Sequence, residues 1–229
     1  MTVTEHALRT RGRVHGDADD RRWDRALAWG GIVGPVLFTA GFLGQELFRM
    51  EEYSPIAEPV SALEAGPNGW LQQLNFVLFG VLTVAFALGL HRGVRPTPRG
   101  FAGPALLAVS GVGALLAAVF PLREDAAGVT YDPGGHFVSG VTFFLSSAVG
   151  LVLLSRRLSA DNRWRGLAGY TLGCGVAAVA GFVVLGGLAI PEGAPLHDWA
   201  GLAQRIVVLG VLFPCRVLLS VRLLRLARG

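Results

Sequence analysis

The apolar residues of this chain fall into six blocks of about twenty, apolar on every side and separated by short polar stretches. A helix of that length crosses about 30 Å of hydrocarbon. A helix apolar all round is one surrounded by lipid or by other helices, not one lying half in water. Strands of a membrane barrel would alternate apolar and polar over about ten residues, and no such alternation is present. The blocks predict spans over Ala26–Phe48, Trp70–Leu90, Phe101–Phe120, Gly135–Leu154, Leu167–Ile190 and Trp199–Val221. The expected fold is all-α, a polytopic bundle of six transmembrane helices. The first block is too long for a signal-peptide core of about 7–15 residues and is read as the first span. Residues 1–25 form a polar tail, expected to be disordered up to about Arg21, so that residues 26–229 make up the membrane domain.

Charge fixes the expected orientation. The tail carries Arg9, Arg11, Arg13, Arg21, Arg22 and Arg25, and the second-to-third loop Arg92, Arg95 and Arg99. The fourth-to-fifth loop carries Arg156, Arg157, Arg163 and Arg165, and the carboxyl end Arg222, Arg225 and Arg228. The alternate loops hold only Arg49 and Arg123 but nine carboxylates, Glu51, Glu52, Glu58, Glu64, Glu124, Asp125, Asp132, Glu192 and Asp198. Positive charge stays on the cytoplasmic side, so both termini are expected there and the acidic loops outside, in a multi-pass protein of the cell membrane.

Composition narrows the class further. Charged residues are 16% of the chain, against about 25% in a soluble domain, and the mean hydropathy is +0.51. The pI near 9.8 does not indicate nucleic acid as a partner, because the arginines are sorted by loop and face anionic lipid. Membrane lipids are the expected partners, and nothing in the sequence sets an oligomeric state. Cys174 and Cys215 lie within apolar blocks without metal-ligand spacing and read as buried thiols. Arg22–Trp23 and Arg163–Trp164 read as interfacial anchors. Pro35 and Pro214 are expected to kink the first and sixth spans. The absence of an inverted repeat speaks mildly against a secondary transporter.

Candidate chemistry is read from depth. Polar groups inside hydrocarbon are costly and turn toward the bundle interior. Glu46, Asn75, Asp125, His136, His197, Gln204 and Arg205 all count to the outer half. The inner half holds little beyond Arg216, expected to snorkel to the cytoplasmic interface. This sorting predicts a polar cavity near the outer face, roofed by residues 50–68. Arg205, about two turns inside its span, needs a partner or water. Glu46 is first by depth and Asp125 second, and an anion or lipid headgroup is the functional alternative. His136 and His197 with Asp125 would be a two-histidine, one-carboxylate metal site. No HxxxH or HExxH supports it, so no metal or cofactor is expected.

Four short pieces occur in a distinctive order. They are Tyr53-Ser54-Pro55 followed by Pro59-Val60-Ser61-Ala62-Leu63, and Gly69-Trp70 with Asn75-Phe76 and Gly80. Then come Phe120-Pro121 with Asp125 and His136, and finally Gly201-Leu202-Ala203-Gln204-Arg205. On these pieces the chain, over about Ala26–Leu224, resembles the bacterial and archaeal membrane family known as domain of unknown function 998. The family often has Glu where Gln204 stands, so no general-acid role is implied there. The resemblance implies six spans, no established activity, and characteristic residues at the outer face. The candidate ligand-binding set is therefore Glu46, Tyr53, Ser61, Asn75, Asp125, His136, His197, Gln204 and Arg205. The expected function is binding of a lipid headgroup or small ligand in the outer polar cavity. The alternative is a membrane-embedded, metal-dependent hydrolase of lipid amides or esters.

Overall fold

The computed structural model describes the backbone of residues 3–228 and the side chains of residues 20–228. Six helical segments are long and apolar enough to cross a membrane. Helix α1 runs Val3–Phe48, α2 Trp70–Gly93, α3 Ala102–Val119, α4 His136–Ser159 and α5 Arg165–Val184. The last span begins with a short 3-10 turn at His197–Trp199 and continues as α6 (Ala200–Arg205). A π-helical stretch at Ile206–Leu212 leads into α7 (Phe213–Leu226). The expected spans match these segments to within a few residues. Helix α1 passes without a break through the boundary expected at residue 25. The tail expected to be disordered falls almost wholly on residues whose side chains lie outside the described set. Where that set begins, the chain is tied down: Arg92 pairs with Asp20 at 3.1 Å and Asp24 at 2.6 Å.

Consecutive helices are neighbours, and α7 returns to pack on α1, closing a ring. Small residues set the spacing. A β-carbon on Gly80 would lie 2.8 Å from the Gly111 carbonyl oxygen, and one on Gly111 equally close to the Gly80 carbonyl, so α2 and α3 touch backbone to backbone. The outward faces stay apolar and exposed, as at Val36, Leu43, Val81, Val112 and Val183, which suits contact with lipid chains. The even number of spans brings the start of the first span and the end of the last to one end, where the Arg25 guanidinium donates to the Ala227 carbonyl. We call this the tail end, and the opposite end, holding the long loop of residues 49–69, the cap end.

The tail end is locked by two buried side chains. Arg157 donates to the carbonyls of His91 (2.8 Å), Val94, Arg95 (3.0 Å) and Gly100 (3.3 Å), gathering the α2–α3 loop. Asp161 accepts from the Arg95 and Arg163 backbone amides, each at 3.0 Å, and pairs with the Arg163 guanidinium at 2.7 Å. Trp164 corrects the interfacial-anchor expectation: it is fully buried, its indole N–H donating to the Gly93 carbonyl at 3.2 Å.

Two local features were absent from the sequence reading. Arg123–Glu124 and Thr130–Tyr131 pair as a minimal antiparallel hairpin in the third-to-fourth loop. The π stretch in the last span ends two residues before Pro214, and a second (Leu185–Ala189) ends the fifth span, two residues before Pro191. Proline has no N–H to continue the helical ladder, and a widened turn lets the preceding carbonyls find other donors.

Candidate functional site

The cap loop is fastened to the last span by backbone geometry as well as side chains. The Gly201 and Leu202 amides donate to the carbonyls of Ala57 (3.2 Å) and Ile56 (2.9 Å). A β-carbon on Gly201 would lie 2.2 Å from the Glu58 carbonyl oxygen, so only glycine allows this approach. Two residues on, the Val60 amide donates to Gln204 Oε1 at 2.7 Å. The Tyr-Ser-Pro and Pro-Val-Ser pieces thus meet the Gly-Leu-Ala-Gln-Arg piece directly. On the other flank, Arg49 donates to the Leu63 and Ala65 carbonyls.

Arg205 is the centre of this fastening. Its Nη1 donates to the carbonyls of Glu58 (3.1 Å) and Gly201 (3.0 Å), and its Nη2 to the Tyr53 hydroxyl (2.7 Å) and the Glu46 carboxylate. Glu46 is the partner expected first by depth. Asp125, expected second, is exposed and occupied with the Ala127 and Val129 amides of its own turn. The Tyr53 hydroxyl reaches the Glu58 and Pro59 carbonyls, both at 3.0 Å. Burial pushes its pKa up to about 12, although Arg205 opposes the shift. Every Nη hydrogen of Arg205 therefore has a protein acceptor. The guanidinium works as a pin between α1, the cap loop and α6; only its Nε–H, buried, is left without a partner, so no two-pronged fork faces an anion.

Beside this pin lies a cavity of about 310 Å³ in the middle of the ring, at the cap end. Its walls come from all six spans and are dominated by Phe38, Phe42, Phe76, Phe79, Phe143, Phe144 and Phe182, with Leu185, Ile190, Val208 and Leu209. This corrects the expectation of a polar cavity: the space is an apolar, aromatic chamber with a polar rim. Of the candidate residues, Ser61, His136, Gln204 and Arg205 line it. Glu46, Tyr53 and Asn75 are buried outside its lining, Asn75 donating to the Phe38 carbonyl at 3.0 Å and so tying α2 to α1. Asp125 and His197 are exposed on cap loops. His136, His197 and Asp125 do not come together, and no group of three metal-ligating side chains forms among the described residues. The metal-dependent hydrolase therefore loses its proposed ligand set.

Two charged groups that matter were not in the candidate set. Glu64, counted only as a loop carboxylate, is buried, with Oε2 3.1 Å from His136 Nδ1 and 3.3 Å from the Leu122 amide. Its Oε1 is buried without a partner. Burial raises its pKa, while His136 and Leu122 pull the other way. Arg216 does not snorkel. It is buried, donates to the Thr83 hydroxyl at 2.6 Å, and lies 4.8 Å from the Phe79 ring centre and 5.4 Å from that of Phe86. The faces of two aromatic rings stabilise the cation, and Phe79 stands between it and the chamber. The hydroxyl and aromatic positions on α2 were the only sequence sign of this arrangement.

Six apolar spans, a closed ring and lipid-facing exteriors define a multi-pass helical membrane protein. The chain belongs to the family described as "Protein of unknown function (DUF998)", whose model matches residues 32–220. No curated protein and no solved structure matches the chain.

Proposed function

We propose that this protein binds a single-chain amphiphile drawn from the membrane, its hydrocarbon tail in the aromatic chamber and its polar end at the Ser61–His136–Gln204 rim. The observation that supports this most is the chamber. A cavity of about 310 Å³ falls at the small end of ordinary ligand sites, about 300–1,000 Å³. Its walls are almost entirely apolar, so hydrocarbon is a better occupant than water, which needs two to four polar partners. The rim supplies the few placed polar groups that orient a ligand in such a site. The headgroup-anion alternative built on Arg205 is not favoured, because the Nη hydrogens of that residue are engaged by the protein. With positive charge kept inside, the cap end and the chamber rim would face outward across the plasma membrane.

The reading is tested with an amphiphile bearing a diazirine in its tail, photolysed on the full chain in lipid nanodiscs. Peptide mapping should place the crosslinks on α4 around Phe143–Phe144 and on the π stretch around Val208–Leu209. Crosslinks confined to the lipid-facing surface, at residues such as Val81 and Val183, would reject it.

A further inference from the structure

The chamber is not closed on every side. Among the described residues that line it, those of α1, α2, α3, the cap loop and the last span are buried or half-buried. The exposed ones are Asp132 and Phe137 at the start of the fourth span, and Gly186 and Ile190 at the end of the fifth. Residues that both line a cavity and face the surroundings mark its mouth. The mouth therefore lies between the fourth and fifth spans, at the cap end.

Backbone approach along this seam locates the opening. A β-carbon on Gly175 would lie 2.8 Å from the Val152 amide nitrogen and 3.2 Å from the Ala148 carbonyl oxygen, so α4 and α5 touch there. About ten residues nearer the cap end, roughly 15 Å along each helix, the seam reaches Gly140 and Gly186. Both line the chamber, and a β-carbon on either would meet nothing within 4 Å. The seams on either side are shut. A β-carbon on Gly113 would lie 2.6 Å from the Phe143 amide nitrogen of α4, and one on Gly181 2.4 Å from Val207 Cγ2 of the last span. Above, Val60 is buried and fastened to Gln204, and Arg205 holds the Glu58 carbonyl. Below, the Phe79 ring centre lies 4.8 Å from that of Phe38 and 5.4 Å from that of Phe213.

Given the chamber reading, on which this rests, we infer that the chamber is loaded from the side. The tail of a lipid in the leaflet at the cap end enters between α4 and the end of the fifth span, across a lip formed by Phe137, Gly140, Gly186 and Ile190. Glycine on both helices leaves no side chain across the gap, and Phe137 and Ile190 keep it apolar. A tail taking this path stays in hydrocarbon, whereas a path over the cap loop would expose each methylene to water. The occupant is thus a lipid already resident in the membrane, not a water-borne solute.

The test follows entry and exit on the full chain in nanodiscs, with a lysophosphatidylcholine bearing a diazirine in its tail. Crosslinks at Phe143–Phe144 and Val208–Leu209, taken by flash photolysis at intervals after mixing, report entry. A chase with unlabelled lysophosphatidylcholine reports exit. Gly186→Trp should slow entry and exit alike, about tenfold, because a blocked mouth raises the barrier and does not change the bound state. Gly187→Trp makes the same change one residue away, outside the chamber lining and with equally open space for a β-carbon. It should leave both rates as in wild type. If Gly186→Trp fails to fold, judged by thermal unfolding, Ile190→Trp puts the same bulk on the same lip. Unchanged rates in the folded lip variant, equal slowing in Gly187→Trp, or lost occupancy without slower rates overturns the inference and leaves the chamber reading standing. If the wild type gives no chamber crosslinks at all, the chamber reading falls and the inference with it.

Discussion

At the residue scale the decisive contacts are a few buried polar groups whose partners are strictly limited. Arg205 and Glu46 meet in the apolar interior, where stranding one charge costs about 3–5 kcal/mol. Arg205→Ala should destabilise by that order, and Glu46→Gln combined with Arg205→Gln should recover part of the loss. Thermal unfolding of the single and double variants in detergent gives the coupling, and a coupling near zero would contradict the pin. At the tail end, the Arg163 guanidinium, opposed by burial and aided by the Arg95 and Arg163 amides, holds the Asp161 carboxyl below the usual carboxylate range. A depressed folded pKa gives stability that is complete above the unfolded value near 4 and is lost as pH falls through the folded value. The melting-temperature gap between wild type and Asp161→Asn should therefore be full at neutral pH and shrink below about pH 4. A gap independent of pH would show that the carboxylate charge is not what matters.

The Glu46–Arg205 contact was legible because two charges counted to the same depth in different spans, and an unpaired charge there is expensive. Glu64 was not legible, since a carboxylate in a polar loop gives no sign that the loop folds inward over the bundle. Arg216 was misread for a related reason. Depth counting places a residue along the membrane normal but not around the helix, and rotation turns Arg216 toward Thr83 and two Phe rings.

At the scale of elements, the spans were readable because block length and uniform apolarity answer directly to bilayer thickness. The π stretches and the Arg123–Tyr131 hairpin were not, because they depend on how neighbouring segments satisfy backbone groups. The cap loop is the element most dependent on one small residue. Gly201→Val would place a β-carbon inside the contact distance of the Glu58 carbonyl, and backbone cannot yield there as a flexible side-chain tip can. Limited proteolysis of the variant should cut within residues 50–68 much faster than in wild type, with the spans intact. An unchanged digestion pattern would mean that the loop is held elsewhere.

For the whole molecule, the ring of six helices encloses a chamber reached by all of them, at the end opposite the Arg25–Ala227 contact. A periplasm-active phosphatase fused after Gly229 should be inactive and a cytoplasm-active fluorescent protein fused there bright; an active phosphatase would reverse the proposed orientation. The cavity itself was expected from polar residues gathered by depth, yet those residues turned out to be largely spent on each other. What remains open is lined by phenylalanines, whose distribution over several spans looked like ordinary membrane composition. The central claim is that this space holds a hydrocarbon tail. Gly140 lines the chamber, and a β-carbon there meets nothing within 4 Å, so Gly140→Trp should fill the space without breaking helix packing and removes a helix-weakening glycine. Native mass spectrometry of the two proteins, purified identically from the membrane, is the most direct measurement. The account predicts a bound single-chain amphiphile on the wild type that is absent from an equally stable Gly140→Trp. Equal adducts on both proteins, or none on the wild type after gentle extraction, would contradict it.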